Sequence, residues 1–373
     1  MATLELSNED ALRLNVLVNN VEAIRIDERT LTVYGLSARG EAKVQLNPTG
    51  RGESYLKAVR EFLSANALGS PSGYPVHLNR WTRMGQARDT NLAKLLMLGE
   101  AEAISAVVCA PGLTEELARR AWWSEPTSEN ARRMLARECV ARSDLGKTLA
   151  DHLIEHLPFE SEQQVIIDSV RLVLQPGLIA PSVRTKLWEK GATQSAYRIG
   201  FLATEPDDLP QPLPARADFE SVRARLTELP ANPFASLLLR VLNGPGQTFL
   251  ATCEQVLHKL SSQEAAVALL NVLSSYMAGV RNDLQPCQDS QIILADAARS
   301  PLELRAAEEL LAAIPTLHDE IVATHALARM DEALVTPVFA HSSATGALMR
   351  RKIAPIIDSV LAQLAVLRRV PHG

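Results

Sequence analysis

Two histidines four residues apart, His152 and His156, with Glu155 beside the second, form the set in this chain best suited to metal chemistry. The run His152-Leu-Ile-Glu155-His156 has the H-x-x-E-H pattern of one class of zinc peptidases. On a helix, residues i and i+4 share a face, so both imidazoles can reach one ion while the carboxylate deprotonates a bound water. A third ligand is required, and Glu220 and Glu228 are the candidates by spacing. Against this, Leu157-Pro158 ends the helix just after His156, where the helix dipole favours a cationic side chain for structural reasons alone. No alternating strand and helix pattern surrounds the motif. The sequence therefore predicts a solvated last turn, with no metal and no other cofactor.

Cys109, in the run Ala106-Val-Val-Cys109-Ala-Pro-Gly112, is the candidate for sulfur chemistry. A reactive thiol needs an exposed, electropositive setting, whereas this stretch reads as the buried end of an apolar helix. The run Ala141-Arg-Ser-Asp-Leu-Gly146-Lys147-Thr148 is close to a phosphate-binding Walker loop whose first glycine is replaced. Such a loop works where a buried strand passes into a helix. Here residues 129–140 are charged with a helical period, so a helix–turn–helix around Gly146 accounts for the same letters. Ser54-Tyr-Leu-Lys57 lacks the companion boxes of the penicillin-binding enzymes, and neither G-x-S-x-G nor G-x-G-x-x-G occurs.

Aromatic and arginine clusters point to binding instead. Residues 72–89 read SGYPVHLNRWTRMGQARD, in which Tyr74, His77 and Trp81 interleave with Arg80, Arg83 and Arg88. Trp, Tyr and Arg anchor interfaces, and the same types can stack on bases and meet phosphates. Trp81 is expected to be buried as an anchor, with the three arginines exposed. Arg119, Arg120, Trp122 and Trp123 form a second cluster. Neighbouring helical residues point about 100° apart, so at most one tryptophan of the pair is expected to be deeply buried. Over residues 77–142, ten Lys and Arg face eight Asp and Glu, too small a surplus for a strong nucleic-acid footprint. The predicted partner-binding residues are Tyr74, His77, Arg80, Trp81, Arg83, Arg88, Arg119, Arg120 and Trp122. The expected partner is a protein, with RNA as a second candidate.

The elements that must carry these residues are helical. Leu (55) and Ala (51) dominate the 373 residues, and aromatics make up only 4%, which favours helix over strand. Ser7 predicts an N-cap for a helix through about Val18. Residues 21–26, 31–36 and 42–46, separated by turn residues, predict a small antiparallel meander, followed by a helix over 52–68. From 88 to 204, helical stretches are broken at Gly99, Pro111-Gly112, Pro126, Gly146, Pro158 and Pro176-Gly177. Val108, Pro111, Gly112, Leu113, Arg119 and Trp123 recur 65 residues later as Val173, Pro176, Gly177, Leu178, Arg184 and Trp188, as a repeat of helix pairs would produce. Four prolines in 205–217 predict an extended linker. Helices resume to the end, broken at Pro301 among others, and Pro355 is expected to kink or restart the last, 346–369. The fold class is mainly α: multi-helical HEAT-like or α-solenoid helix pairs with a small N-terminal β-meander. The regions are 1–70, 71–204, 205–217 and 218–373.

A net charge of -5, 47% hydrophobic and 22% charged residues exclude a disordered tail, a fibre and a basic nucleic-acid coat. The start of the chain lacks the basic and apolar regions of a secretory signal. No apolar run approaches the roughly 20 residues of a membrane span. Cys109, Cys139, Cys253 and Cys287 are scattered and are expected to be reduced core residues of a cytoplasmic protein.

The stretches GYPVHLNRWTRMGQ (73–86), VVCAPGLTEELARRAWW (107–123), ENARRML (129–135), VRLVLQPGLI (170–179) and GFLATEPDDLP (200–210) together resemble the DsrS family of sulfur reduction proteins. The resemblance covers most of the chain up to the proline-rich stretch and is thinner beyond it. It implies a cytoplasmic protein of sulfur-oxidising bacteria, encoded with dissimilatory sulfite reductase and supporting or regulating that system. It brings no catalytic residues. The expected function is thus a non-enzymatic helical binding protein. The alternative is a zinc-dependent hydrolase or sulfur-handling enzyme using His152, Glu155 and His156 or Cys109.

Overall fold

The computed structural model of the chain describes residues 6–69, 89–260, 262–281, 286–340 and 346–369. Tyr74, His77, Arg80, Trp81, Arg83 and Arg88 lie outside the described residues, so the expectations placed on 72–89 find no counterpart below. The fold is mainly α, with twenty α-helices and one three-stranded sheet among the described residues. Contacts divide the chain into two compact units, Met1–Pro158 and Phe159–Gly373.

The first unit opens with α1 (Asn8–Val18), the strands β1 (Ala23–Asp27), β2 (Thr32–Ser37) and β3 (Gly40–Gln45), and α2 (Gly52–Leu68). Ser7 caps α1 as expected, its hydroxyl accepting the Asp10 amide at 3.2 Å. The antiparallel meander places Arg25 opposite Tyr34 and Tyr34 opposite Lys43. Residues on alternate positions face the other way, so Ile24 and Val33 join Leu14, Leu17, Leu46, Tyr55, Val59 and Leu63 in a core. Buried Asp10 accepts the Tyr55 hydroxyl at 2.6 Å and the Asn47 amide at 2.8 Å. Burial, and then that bond to Asp10, raise the Tyr55 phenol above its ordinary pKa.

Six helices complete this unit: α3 (Asp89–Leu95), α4 (Ala101–Cys109), α5 (Glu115–Ser124), α6 (Ser128–Leu135), α7 (Glu138–Ala141) and α8 (Asp144–His156). Gly146 sits in the first turn of α8, where a Cβ would lie 2.5 Å from the Ala141 carbonyl oxygen. The glycine of the Walker-like run is thus needed for a close helix-to-helix turn. The element preceding that turn is α7, a helix, where a phosphate-binding loop needs a strand.

The regular elements described in the second unit are all helices: α9 (Gln163–Val173), α10 (Pro181–Lys190), α11 (Ser195–Thr204), α12 (Phe219–Thr227), α13 (Pro233–Leu242), α14 (Gly244–His258), α15 (Gln263–Tyr276), α16 (Ser290–Glu303), α17 (Arg305–Ala313), α18 (His318–Arg329), α19 (Thr336–Ala340) and α20 (Gly346–Arg368). Gly200 lets α11 approach α9, since a Cβ there would lie 2.6 Å from Val170 Cγ1. The proline-rich stretch 205–217 is free of helix, as its prolines require, and lies inside this unit. It is tied down by the Leu213 amide on Thr248 Oγ1 at 2.8 Å and the Arg216 amide on the Leu242 carbonyl at 3.0 Å.

Two of the expected breaker prolines lie within helices. Pro301 lies inside α16 and Pro355 inside α20, and neither ends its helix. For α20 the reason is packing. Met349, Ile353, Ile357, Val360, Leu364 and Leu367 form one buried stripe along the helix, while Pro355 is exposed on the other side. The carbonyl that the proline leaves without a donor therefore lies on the solvent side.

The two Pro-Gly segments share helix, turn, helix over 108–123 and 173–188. Leu113 and Leu178 are both buried. The turns are not identical, because Gly177 has a φ of 83° and Gly112 is not among the positive-φ residues. Trp188 is buried, whereas Trp123 is half-exposed.

Candidate functional site

Among the described residues, the face that gathers most of the sequence-predicted side chains is built on α5. Thr114 starts this helix by accepting the Leu117 amide at 3.3 Å, with Glu115 and Glu116 in the first turn. Leu117, Ala118 and Ala121 turn into the core. Trp122 and Trp123 flank that buried stripe, and both are half-buried.

Trp123 lies on the solvent side of the sheet. The Arg25 guanidinium sits 5.1 Å from its ring centre and 4.8 Å from that of Tyr34. The Trp123 indole donates to Glu41 Oε2 at 3.1 Å, and Arg25 approaches the same carboxylate at 3.4 Å. Trp123 is thus the strut that holds α5 against β1. Its neighbour Trp122 points to α8. Its ring meets His152 edge-on at 4.9 Å, and His152 stacks on His156 at 4.0 Å with 24° between the planes. The three rings form a half-exposed ledge.

Hydrogen bonds fix the histidines. The His156 Nδ1 lies 2.8 Å from the His152 carbonyl oxygen. A carbonyl can only accept, so Nδ1 carries the proton and donates. The His152 Nε2 is 3.4 Å from Ser128 Oγ at the start of α6. Burial lowers the His152 pKa, His156 lowers it further, and Glu155 opposes both. His152 is therefore neutral at pH 7.

This arrangement does not suit a metal. Imidazole lone pairs lie in the ring planes, so two stacked rings direct them along parallel lines instead of towards one point. Glu155 is exposed, and Glu220 is 3.4 Å from Arg223 in the second unit. Among the described residues, no group of three His, Cys, Asp or Glu side chains is placed to hold an ion.

The two arginines of the cluster differ. Arg119 is half-exposed and pairs with Glu115 at 2.7 Å on its own helix. Arg120 is only 20% exposed and bridges Glu116 and Glu22, each at 3.0 Å, which ties α5 to the residue before β1.

Cys109 corrects the expectation of a buried thiol. Val107 and Val108 occupy the core positions of α4, and the next step around the helix turns Cys109 out to solvent. Arg133 Nη1 donates to its sulfur at 2.9 Å and to Ser105 Oγ at 2.7 Å, and Arg137 donates to its carbonyl at 3.0 Å. Cys139 is also exposed and Cys287 half-buried. Of the four, only Cys253 is a core residue, and its burial pushes the thiol pKa up.

Sequence reasoning missed the partners of Trp123. Arg25, Tyr34 and Glu41 each come from a different strand, and the alternation of the meander was the signal that put all three on one face. Compared with known proteins, the chain matches no protein-family model, no curated protein and no solved structure.

Proposed function

We propose that this chain is a non-enzymatic, cytoplasmic helical protein that supports or regulates the dissimilatory sulfite reductase system by binding a protein of that system. The observation that carries the binding role is the ledge of Trp122, His152 and His156. Its rings are half-exposed and held by ring contacts with one another and by hydrogen bonds to Ser128 and a backbone carbonyl. Aromatic side chains anchored in this way lose little entropy on docking and are typical of interface hot spots. The sulfur context comes from the resemblance of residues 73–210 to the DsrS family. No helix among the described residues is long and apolar enough to cross a membrane.

The test is capture from lysate of sulfur-oxidising cells grown on reduced sulfur, with tagged protein as bait. Sulfite reductase subunits or their accessory proteins should be enriched. Trp122→Ala with His152→Ala should lose them while the melting temperature stays within a few degrees. Recovery of RNA alone, or of no protein of that system, overturns the reading.

One observation favours a second reading, sulfur handling at Cys109: its exposed thiol accepts a hydrogen bond from Arg133. On this reading Cys109 is alkylated by iodoacetamide at pH 7 much faster than the exposed Cys139, and Arg133→Gln removes the difference. Equal rates at the two thiols count against it.

A further inference from the structure

The second unit contains a cleft of about 420 Å³ that none of the sequence motifs anticipates. Its size falls in the range of small-molecule sites, about 300–1,000 Å³. Its floor is apolar. Ile167 of α9 and Ile199 and Leu202 of α11 are buried beneath it, and the partly exposed Ala203 of α11 and Val267 and Val272 of α15 give it accessible apolar walls. The close approach of α9 and α11 at Gly200 draws two walls together.

The charges on the rim are of one sign. Arg171 and Arg240 line the cleft and no carboxylate does, in a chain whose net charge is -5. Arg240 is fixed in place. Its Nε and Nη2 donate to Asp207 at 2.8 and 2.6 Å, and its guanidinium lies 3.8 Å from the centre of the Tyr276 ring. The Tyr276 hydroxyl donates to the same carboxylate at 3.0 Å, and its ring stacks on Phe249 at 3.8 Å. This leaves Nη1 of Arg240 outside the Asp207 pair. Arg171 makes one 3.4 Å contact with Asp168 and is otherwise exposed. The wall thus combines one rigid guanidinium with one that can swing.

We propose that this cleft binds a small organic anion, with its apolar tail against Ala203, Val267 and Val272 and its anionic head between Arg171 and Arg240. The site follows from amphipathic complementarity. An apolar body gains from the apolar walls, and an anionic head can meet the Arg240 Nη1 that Asp207 leaves unbonded and the Arg171 guanidinium that Asp168 holds by one 3.4 Å contact.

Titration calorimetry of the full chain with octanoate, octan-1-ol and octylamine tests this, since the three share a tail and differ in the head. Octanoate should bind at one site per chain, roughly tenfold or more tighter than octanol, with octylamine weakest. Arg171→Gln should weaken octanoate by roughly tenfold while leaving octanol unchanged. Ala268 is a half-exposed residue on the wall. Ala268→Phe should fill the cleft and abolish binding without lowering the melting temperature. The proposal is overturned if octanol or octylamine matches octanoate, if octanoate does not bind, or if its binding survives Ala268→Phe in a folded protein.

Discussion

At the scale of single residues, the fold depends on a few positions with no freedom of choice. Gly146 is one. Its Cβ position is already occupied by the Ala141 carbonyl, and that neighbour is backbone which cannot rotate away. Gly146→Ala should destabilise the protein by about 1–3 kcal/mol, the usual range for overpacking, readable as a lowered urea midpoint. A second case is His325, buried on α18 and hydrogen-bonded to Ser300 Oγ of α16. Burial and the neighbouring Arg329 hold its pKa below the ordinary value, with Asp296 opposing. The unfolded chain takes up a proton near pH 6.5 that the folded chain resists, so stability is full above that pH and falls as pH drops through it. His152 contributes with the same sign. The melting temperature should therefore fall between pH 7.5 and 5.5, and His325→Gln should flatten that fall. The same slope in the variant would assign the pH dependence to other groups.

At the scale of elements, α20 shows packing outweighing a local breaker. Its buried stripe runs from Met349 to Leu367, and the exposed proline interrupts only the solvent side. A proline inside a helix costs about 3 kcal/mol, partly offset by the stiffer unfolded chain. Pro355→Ala should raise stability by about 1–3 kcal/mol, seen as a higher melting temperature. No change would mean that the helix bends there to avoid the penalty. On α5, adjacent tryptophans have different tasks because they point apart. Trp123 braces the sheet, whereas Trp122 joins the histidine ledge.

At the scale of the whole molecule, the second unit is closed by a buried ionic network rather than by apolar contacts alone. Arg216, at the end of the proline-rich stretch, is 6% exposed and donates to Glu320 at 2.8 Å and to Asp218 at 2.6 Å. Arg369, just after α20, reaches the same Glu320 at 3.1 Å and Asp218 at 2.9 Å. The network joins residues about a hundred positions apart in sequence. Arg216→Met leaves the buried Glu320 with only the half-exposed Arg369 as its cation, so it should cost about 3 kcal/mol, the low end for a broken buried pair. The double change with Glu320→Leu should recover part of that loss. Additive losses in the double variant would show that the two side chains act separately.

The sequence by itself determined whatever depends on neighbours along the chain. The Ser7 cap, the meander and its turns, the helix over 52–68 and the helix-free prolines of 205–217 follow from local hydrogen bonding, alternation and the geometry of proline, and the structure has them where these rules place them. Only tertiary structure decided the rest. Whether Pro355 breaks its helix depends on which side of α20 is buried. The exposure of Cys109 depends on Val107 and Val108 filling the core. The histidines read as a chelating pair stack on each other, because Trp122 and Ser128 fix His152 while a backbone carbonyl fixes His156. The two-arginine cleft joins residues from 164 to 276, and it exists only because α9, α11 and α15 pack together. Periodicity sets the face a side chain occupies on its own helix; what that face meets is set by contacts between residues far apart in the chain.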